Sequence, residues 1–580
     1  MNPTRARLVR ATLTPLALAA APLFWVAEAT RRAALTPLGR DQGIFQYVAW
    51  ALTAGAVDYR DVRDVNGPLA HLVHLALLSL GGADEHRFRV LDLAVTGATF
   101  ALVGACLPGL RSRRAPDALE RAAWALAGWV VLSAQYLLFG YWDLAQRESF
   151  FDWFTLPSVA LQLVAQAPWM RAVPRRRALL FAAVGALSVV PWFGKPTYAL
   201  FTFVQLAVIV VDDARSHGRA AWAFAIGGAV GAASQVAFLA AYGDVGAYVR
   251  IQLVDVPAMY RFIWPRSAAD MFSEPWRASQ AIFSLGGAAL LAGLVALGEL
   301  PVRALPVALA PLAALAGVVV QRKGFPYHFH PVTAGVHLQW LALAAWLSER
   351  ARVARRRWAA ARAAPLALAV LIGVRVAAAM EDSPHVRAAW LTWGARTPEQ
   401  RATREYFARF PEPDFFPFEL RQAAGFVRAR TAPTERVQTY GMDPYVLFLA
   451  ARLSATPYIY AYDLNVDAAL AGGTGGRPSE AQADRIRAMR EEHETDLVER
   501  LRAQPPAAFV FVDGAPLVTR ADAWDDFEEH CPRAAAWVRP RYREAARFGH
   551  VHVWLDAQRA APELERNEPA EQDDPTPTAP

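Results

Sequence analysis

The chain has 580 residues, of which 54% are hydrophobic and 19% are charged, and its mean hydropathy is +0.17. These values exclude a single small soluble domain and are typical of a membrane protein. The net charge of +7 does not predict a nucleic-acid partner, because the arginines form short clusters between apolar blocks. Cys106 and Cys531 lie in different regions, so neither a disulfide framework nor a thiolate metal site is expected.

Apolar blocks recur up to about residue 380 and then stop, which predicts about eleven transmembrane helices of roughly 20 residues. For the first block, a signal peptide ending near Ala27-Glu28-Ala29 is the alternative to an uncleaved span. The predicted spans are 9–29, 88–108, 122–139, 153–169, 178–194, 197–211, 220–241, 279–298, 304–320, 332–347 and 359–379.

Arginine placement predicts the topology. Arginine-rich connections occur at 111–121, 171–177, 215–219 and 350–357. With a cytoplasmic N-terminus all four face the cytoplasm, as positively charged loops do. The other connections, and the region after residue 380, are then extracytoplasmic.

Two segments of the long first outer loop are expected to lie along the membrane surface. Residues 68–82 are apolar but number only about 15, which is short for a span. If they crossed, the later topology would invert. Residues 44–56 form an amphipathic helix pattern. In residues 68–82, His71 and His74 share a helix face and could meet lipid headgroups.

Five polar clusters face outward in this topology: 40–43, 58–68, 141–148, 194–198 and 321–331. Polar groups near a membrane are costly, so their presence on one side predicts a single outward-facing site. The long loop 243–278 on the same side suggests a lid or an acceptor-binding element.

The residue types in these clusters suit acid–base chemistry beside a phosphate. Carboxylates can act as a general base or as metal ligands. Cations and imidazoles can hold a phosphate, and aromatic rings suit a sugar or an isoprenoid chain. The candidate catalytic residues are Asp41 and Glu148. The candidate substrate-binding residues are Asp143, Arg147, Lys195, Lys323, Tyr327, His328, His330, Tyr59, Arg60 and Asp61.

Each candidate also has a purely structural interpretation. Asp41 could cap a helix, and Arg147 with Glu148 could form a local ion pair. The two lysines could lie at span ends with their ammonium groups reaching the interface. The segment from Asp58 to Asp64 could serve only to form a turn. No metal ligand set is predicted, and a divalent cation is the one candidate cofactor.

The stretch 41–92 resembles the first outer loop of GT-C glycosyltransferases, the class of protein O-mannosyltransferases and lipid A aminoarabinose transferases. The resemblance rests on Asp41, Gly55, Tyr59-Arg60-Asp61, Gly67-Pro68-Leu69, Gly81-Gly82 and Arg87 or Arg89. Two further elements, 145–148 and 323–328, resemble those of an uncharacterised bacterial subgroup. The chain departs from the family at Asp41-Gln42, where an acidic pair is usual, and at Asn66-Gly67, where a lysine is frequent.

The resemblance implies an inverting transferase in the bacterial inner (cytoplasmic) membrane. It would move a sugar from a polyprenyl-phosphate donor to a glycan, lipid or protein acceptor on the extracytoplasmic face, with Asp41 as the base. The alternative is a lipid-linked sugar transporter or flippase without transfer chemistry. A membrane polymerase or ligase of glycans would use similar parts.

The expected organisation is a GT-C-like transmembrane domain over 1–380, an extracytoplasmic α/β domain over 381–557 and a disordered tail over 558–580. Strands are predicted at 436–440, 457–462, 507–513 and 549–555. The glycine-rich loop 472–476 is not a phosphate loop, because no lysine follows it. Acceptor binding, or support of the outer loops, is the role expected of this domain.

Overall fold

The computed structural model of the chain describes residues 3–110, 114–212, 218–353 and 359–559. Three of the predicted cytoplasmic connections, at 111–121, 215–219 and 350–357, lie partly outside these ranges. The predicted tail 558–580 lies outside them from residue 560 onward.

The region before residue 382 is built from helices, and each predicted span overlaps at least one of them. Their bounds are α1 Pro3–Ala20, α2 Leu23–Ala33, α3 Arg40–Thr53, α4 Pro68–Gly81, α5 Glu85–Cys106, α6 Ala118–Leu137, α7 Arg147–Ala165, α8 Pro174–Val189, α9 Ala199–Asp212, α10 Arg219–Tyr242, α11 Val245–Arg250, α12 Val256–Ala258, α13 Ala268–Met271, α14 Pro275–Ala296, α15 Leu305–Gln321, α16 His330–Val353 and α17 Ala359–Glu381.

Six helices in the described part of the chain are long and apolar enough to cross a membrane, namely α5, α8, α10, α14, α15 and α17. The pair α1 and α2 would make a seventh if it forms one bent span. The chain is therefore a multi-pass membrane protein. The count of eleven spans stays a prediction, because the remaining helices are shorter or less apolar.

The first predicted span, 9–29, is not one straight helix. Its two halves, α1 and α2, meet at 55°. Pro22 stands immediately before α2. Proline has no backbone N–H to donate and disfavours a helical residue before it, so the break falls here.

Glycines bring α8 and α10 into close contact. A Cβ atom on Gly185 would lie 1.9 Å from the Phe224 carbonyl oxygen, and one on Gly227 would lie 1.8 Å from that of Ala182. Within a bilayer, small residues allow helix backbones to approach and gain van der Waals contact. The glycine-rich sequence of α10 therefore serves packing between helices.

The region after residue 382 contains short helices around a four-stranded sheet with the strand order β1-β2-β4-β3. Strands β1 and β2 are parallel, and the other two pairs are antiparallel. The elements are α18 Pro384–Arg387, α19 Leu391–Gly394, α20 Pro398–Arg401, α21 Arg404–Phe407, α22 Pro417–Arg430, β1 Val437–Tyr440, α23 Tyr445–Ala450, α24 Asp467–Ala471, α25 Glu480–Ala503, β2 Ala508–Val512, α26 Ala523–His530, α27 Pro532–Val538, β3 Tyr542–Phe548 and β4 Val551–Asp556.

The predicted strand 457–462 is wrong, and strand β3 was not predicted. In the first segment the backbone bonds to other loops: Ala461 N donates to Gly441 O at 2.7 Å, and Pro457 O accepts from Arg63 N at 3.0 Å. Strand β3 is an edge strand with mostly polar, partly exposed residues, so it carries little apolar signal.

The C-terminal domain packs directly on helix α3, and the two share one hydrophobic core. Tyr47 is fully buried there, and its hydroxyl accepts a hydrogen bond from Ser454 N at 2.8 Å. Arg63 donates to Asp463 at 2.7 Å and to Asp255 at 2.7 Å. Buried ion pairs of this kind fix the outer loops against the domain.

Candidate active site

A cavity of about 630 Å³ lies between the start of α3, the start of α7, the segment after α15 and the C-terminal domain. Six of the predicted site residues line it: Asp41, Arg147, Glu148, Lys323, Tyr327 and His328. These six residues come from three distant parts of the sequence and meet in one place. A concave site with convergent polar groups is where ligands usually bind.

Asp41 offers the one carboxylate at the start of α3. Gly39 is the N-cap of this helix, and its N–H donates to the side-chain oxygen of Gln42 at 2.6 Å. Asp41 is therefore not used as a helix cap. No described residue forms a hydrogen bond or ion pair with its carboxylate, and burial raises the pKa of Asp41 to about 6. A carboxylate with such a pKa is suited to accept a proton near neutral pH.

Gln42 occupies the place of the family's second acid and is fully buried. Its amide nitrogen donates to the carbonyl oxygens of Tyr141, at 3.2 Å, Trp142, at 3.1 Å, and Leu144. Its side-chain oxygen also accepts from Arg89 at 3.1 Å. A carboxylate could not donate to the three carbonyl groups. Gln42 therefore stands in place of the family's second acid for a structural reason, because its hydrogen bonds connect α3 to the loop before α7.

Glu148 is buried among basic side chains. Its Oε1 accepts from Arg147 at 2.7 Å and pairs with the Lys195 ammonium at 2.8 Å. Lys195 does not itself line the cavity but stands behind Glu148. Burial lowers the pKa of Lys195 to about 8, so the ammonium remains mostly charged at neutral pH. Glu148 is thus the counterion of a basic pair and is poorly placed to act as a base.

His328 adds a neutral donor to this basic pair. Its Nε2 lies 3.6 Å from Glu148 Oε1, which is too long for a hydrogen bond. Burial, and then Lys195, lowers its pKa well below the usual value, so the ring is uncharged. In the described part of the chain, His328 Nδ1, Arg147 Nε and Glu148 Oε2 are buried without a hydrogen-bond partner. Of these, Arg147 Nε is a donor and the neutral His328 ring can donate from Nδ1, whereas Glu148 Oε2 only accepts; the two donors beside the cations fit an anionic ligand such as phosphate.

Lys323 lines the cavity, but its ammonium already has partners. It donates to the carbonyl oxygen of Tyr260 at 3.0 Å and to that of Ile263, and it stands 4.7 Å from the Tyr260 ring centroid. Burial lowers the pKa of Lys323 to about 7. Its main contact is thus with the 260–263 segment, which it holds against the end of α15.

Asp143 and His330 lie beside the cavity without lining it. Burial, and then the charge of Asp41, raises the pKa of Asp143 to about 7. His330 Nε2 hydrogen-bonds the Asp143 carbonyl oxygen at 2.8 Å, and its ring packs on Phe139 at a centroid distance of 3.8 Å. His330 therefore supports the loop that carries Asp143.

The Tyr59-Arg60-Asp61 element lies outside the cavity. Tyr59 has a positive φ of 66°, and its buried hydroxyl donates to Asn66 O at 3.0 Å. Arg60 and Asp61 form an ion pair of 2.9 Å in which Arg60 is about half exposed. These contacts shape the loop, as expected of turn formation.

Several lining residues were not among the predicted ones. Arg40, Asp64 and Asn66 belong to predicted polar clusters, so their position carried a signal. The C-terminal domain contributes Glu412, Asp414, Met442, Tyr460, Tyr462 and Leu517 to the same cavity. No local motif marks these residues. They reach the site through long-range contacts such as that of Arg40 with Asp443, at 2.9 Å.

Within the described residues, one group brings three metal-type ligand atoms within 4.8 Å of one another: Asp513, Asp522 and His552. These side chains already have protein partners. Asp513 accepts from His552 at 2.7 Å, and Asp522 caps α26 by accepting from Trp524 N at 2.7 Å. The predicted divalent cation therefore gains no defined site from this group.

Comparison with protein-family profiles gives no match, and neither does comparison with curated proteins. Among solved structures, the chain is similar to ArnT from Cupriavidus metallidurans bound to undecaprenyl phosphate, with 12% identity, a TM-score of 0.49 and coverage of 92% of this chain and 96% of that one. The apo form of ArnT gives 15% identity, a TM-score of 0.44 and coverage of 92% and 97%.

The oligosaccharyltransferase of Archaeoglobus fulgidus, in complex with Zn and sulfate, gives 15% identity, a TM-score of 0.38 and coverage of 87% and 67%. ArnT, a lipid A aminoarabinose transferase, and this oligosaccharyltransferase are both GT-C glycosyltransferases.

Proposed function

We propose that this chain is an inverting membrane glycosyltransferase, which transfers a sugar from a polyprenyl-phosphate donor to an acceptor hydroxyl on the extracytoplasmic face. The observation that carries the proposal is that one cavity holds both the Asp41 carboxylate and a basic cluster, and that the described residues supply no partner for this carboxylate or for the donor Arg147 Nε. A proton acceptor and an anion site within one cavity suit displacement of a phosphate leaving group.

In the proposed reaction, Asp41 takes the proton of the acceptor hydroxyl. The acceptor oxygen attacks the anomeric carbon, and the bond between that carbon and the phosphate oxygen breaks. The electron pair leaves with the lipid phosphate. A single displacement of this kind inverts the configuration at the anomeric carbon.

Arg147 and His328 would stabilise the departing phosphate, with Lys195 contributing charge from behind Glu148. Donors fixed in place before the reaction stabilise developing charge without reorganising. Glu148 keeps the cations in place while no phosphate is bound. Lys323 contributes by holding the 260–263 segment, so its role differs from the direct phosphate contact expected from the sequence.

The acceptor is a glycan, a lipid or a protein, and the C-terminal domain contributes its part of the cavity wall. Tyr460 and Tyr462 lie there with parallel rings whose centroids are 5.0 Å apart. Aromatic surfaces of this kind suit a sugar ring. We place the chain in the bacterial inner membrane with this domain outside the cytoplasm, and a divalent cation remains a candidate cofactor.

The test is sugar transfer in membrane vesicles, with radiolabelled polyprenyl-phosphate sugars offered to wild type, Asp41→Asn and Asp382→Asn. Asp382 is an exposed aspartate whose carboxylate, among the described residues, pairs with Arg387, so it serves as the matched control. We expect label in an acceptor with wild type and Asp382→Asn, and a loss of about 10²-fold or more with Asp41→Asn.

Equal transfer by all three proteins would remove Asp41 as the base and leave Asp143 as its nearest replacement. Movement of lipid-linked sugar across the vesicle membrane without label in any acceptor would support the transporter instead. That outcome would overturn the proposed function.

A further inference from the structure

A buried histidine bridges two aspartates next to the cavity. His71 Nδ1 lies 2.7 Å from Asp58 Oδ2, and its Nε2 lies 2.9 Å from Asp64 Oδ2. All three side chains are fully buried. Burial therefore excludes the interpretation in which His71 meets lipid headgroups. Burial alone would lower its pKa, but the two carboxylates raise the pKa of His71 to about 10. The ring is thus a cation that bridges two buried carboxyl groups.

Asp64 connects this bridge to the lining of the cavity. Its Oδ1 accepts from the backbone N–H of Asn66 at 2.9 Å and from the Asn66 side-chain nitrogen at 2.8 Å. With its nitrogen directed at Asp64, Asn66 presents its side-chain oxygen on the other side. That oxygen accepts from Arg147 Nη1 at 2.7 Å.

We propose that His71 is a positioning residue that fixes Asp64, and through Asn66 sets the orientation of Arg147 towards the donor phosphate. This inference rests on the proposed function, because it assigns the phosphate to Arg147. His71 touches no substrate; it acts through two hydrogen-bonded residues.

The two buried aspartates explain why a charged ring is needed at position 71. Without it, Asp58 and Asp64 would be two buried carboxylates that lack a cation between them, which is strongly unfavourable. Asp64 would then rotate or take up a proton, and the amide of Asn66 would lose the partner that orients it. Arg147 would keep Glu148 as a partner but lose its second fixed contact.

The same helix supplies a matched control. His74 lies one turn after His71 on α4 and is also fully buried. Its Nδ1 bonds to the amide of Gln46 at 3.1 Å, and its ring stacks on Phe88 at 4.8 Å. No carboxylate of the described residues contacts it. A glutamine at either position removes a buried ring of the same size from the same helix, so the packing loss is similar.

The experiment compares His71→Gln and His74→Gln with wild type, measuring Tm in detergent and the KM and kcat of transfer. We expect both variants to lose Tm, but only His71→Gln to raise KM for the lipid-phosphate donor, by about tenfold, which corresponds to roughly 1.4 kcal/mol. In an Arg147→Gln background, His71→Gln should raise KM no further, because the two act through one chain of contacts.

Equal KM changes in the two histidine variants, or a full additional effect in the Arg147→Gln background, would overturn the proposal. If His71→Gln does not fold, Asp58→Asn removes only the outer carboxylate of the bridge and takes its place in the same comparison.

A second measurement separates this inference from the proposed function. The Tm losses of His71→Gln, Asn66→Ala and their double variant require no substrate. If the double variant loses less Tm than the two single variants together, the coupling between the His71 bridge and Asn66 is supported. This holds even if wild type transfers no sugar, and in that case only the proposed function fails. Additive losses would reject the positioning role.

Discussion

Asp41 and Gln42, at the start of α3, occupy the positions of the family's acidic pair and have separate roles. Gln42 caps the helix and donates to the loop before α7, whereas no described residue bonds to the Asp41 carboxylate in the cavity. Because the capping task is taken by the amide, Asp41 is left free for chemistry. The two lysines also differ in role. Both follow an apolar segment, but Lys195 meets a carboxylate and Lys323 meets backbone carbonyl groups.

The first prediction concerns the pH dependence of transfer. Burial raises the pKa of Asp41 to about 6, and a base must be ionised, so kcat/KM should fall about tenfold per pH unit below that value. The measurement is a pH profile of kcat/KM from pH 4 to 8. Asp143→Asn should leave the midpoint near pH 6, since the higher pKa of Asp143, about 7, makes it ionise after Asp41. A midpoint that disappears in that variant would assign the base to Asp143.

The second prediction compares the only two lysines of the sequence. Lys195→Met removes a cation from Glu148 and should lower the transfer rate by about 10²-fold. Lys323→Met removes bonds to two carbonyl groups and should cost about 1–3 kcal/mol of stability, with a smaller loss of rate. Rate assays and Tm measurements on both variants check this. The opposite ranking of the two rates would mean that Lys323 holds the phosphate.

At the scale of elements, the cavity depends on loops that support each other. The segment 264–267 lines the cavity through Trp264 and Arg266 and lies against the glycine-rich loop 472–476. Gly475 N donates to Pro265 O at 2.8 Å, and Ser267 N donates to the Thr474 hydroxyl at 3.1 Å. The glycines allow this close approach, which gives the loop a structural role in place of phosphate binding.

The third prediction tests that contact. A Cβ atom on Gly473 would lie 2.3 Å from Pro265 O, so Gly473→Ala must push the two loops apart. We expect a loss of about 1–3 kcal/mol and faster tryptic cleavage within 260–267. Gly425→Ala is the control, because a Cβ atom there would meet nothing within 4 Å. Identical digestion patterns for the two variants would show that the loops do not depend on each other.

At the scale of the whole molecule, the C-terminal domain completes the site instead of standing apart from it. It shares a hydrophobic core with α3 and α4, and Arg63 and Arg40 connect the outer loops to its aspartates. The domain and the cavity must therefore lie on the same side of the membrane. This makes the predicted extracytoplasmic location of the domain open to a direct test.

The fourth prediction is the topology itself. Both native cysteines are buried, so a new exposed cysteine reports its own location. In intact cells, a membrane-impermeant maleimide should label Arg487→Cys in the C-terminal domain but not Arg175→Cys at the start of α8. Labelling of Arg175→Cys alone would show that the topology is the inverse of the predicted one and that the cavity faces the cytoplasm.

The sequence by itself determined the membrane class, the helical segments and six of the residues that line the cavity. Apolar length, arginine placement and polar clusters are local patterns, so they can be recognised without the fold. Asp41, Arg147 and Glu148 were reached in this way, and so was the helix at each predicted span.

Only the tertiary structure decided which of these groups remain available. Whether a lysine meets a carboxylate or a carbonyl depends on partners far away in the chain, as with Lys323 and the 260–263 segment. The acidic and aromatic wall from the C-terminal domain, and the His71 bridge behind Arg147, likewise arise from packing. Such contacts join residues up to about 400 positions apart, as Arg40 and Asp443 are, and no local pattern of residue types encodes that pairing.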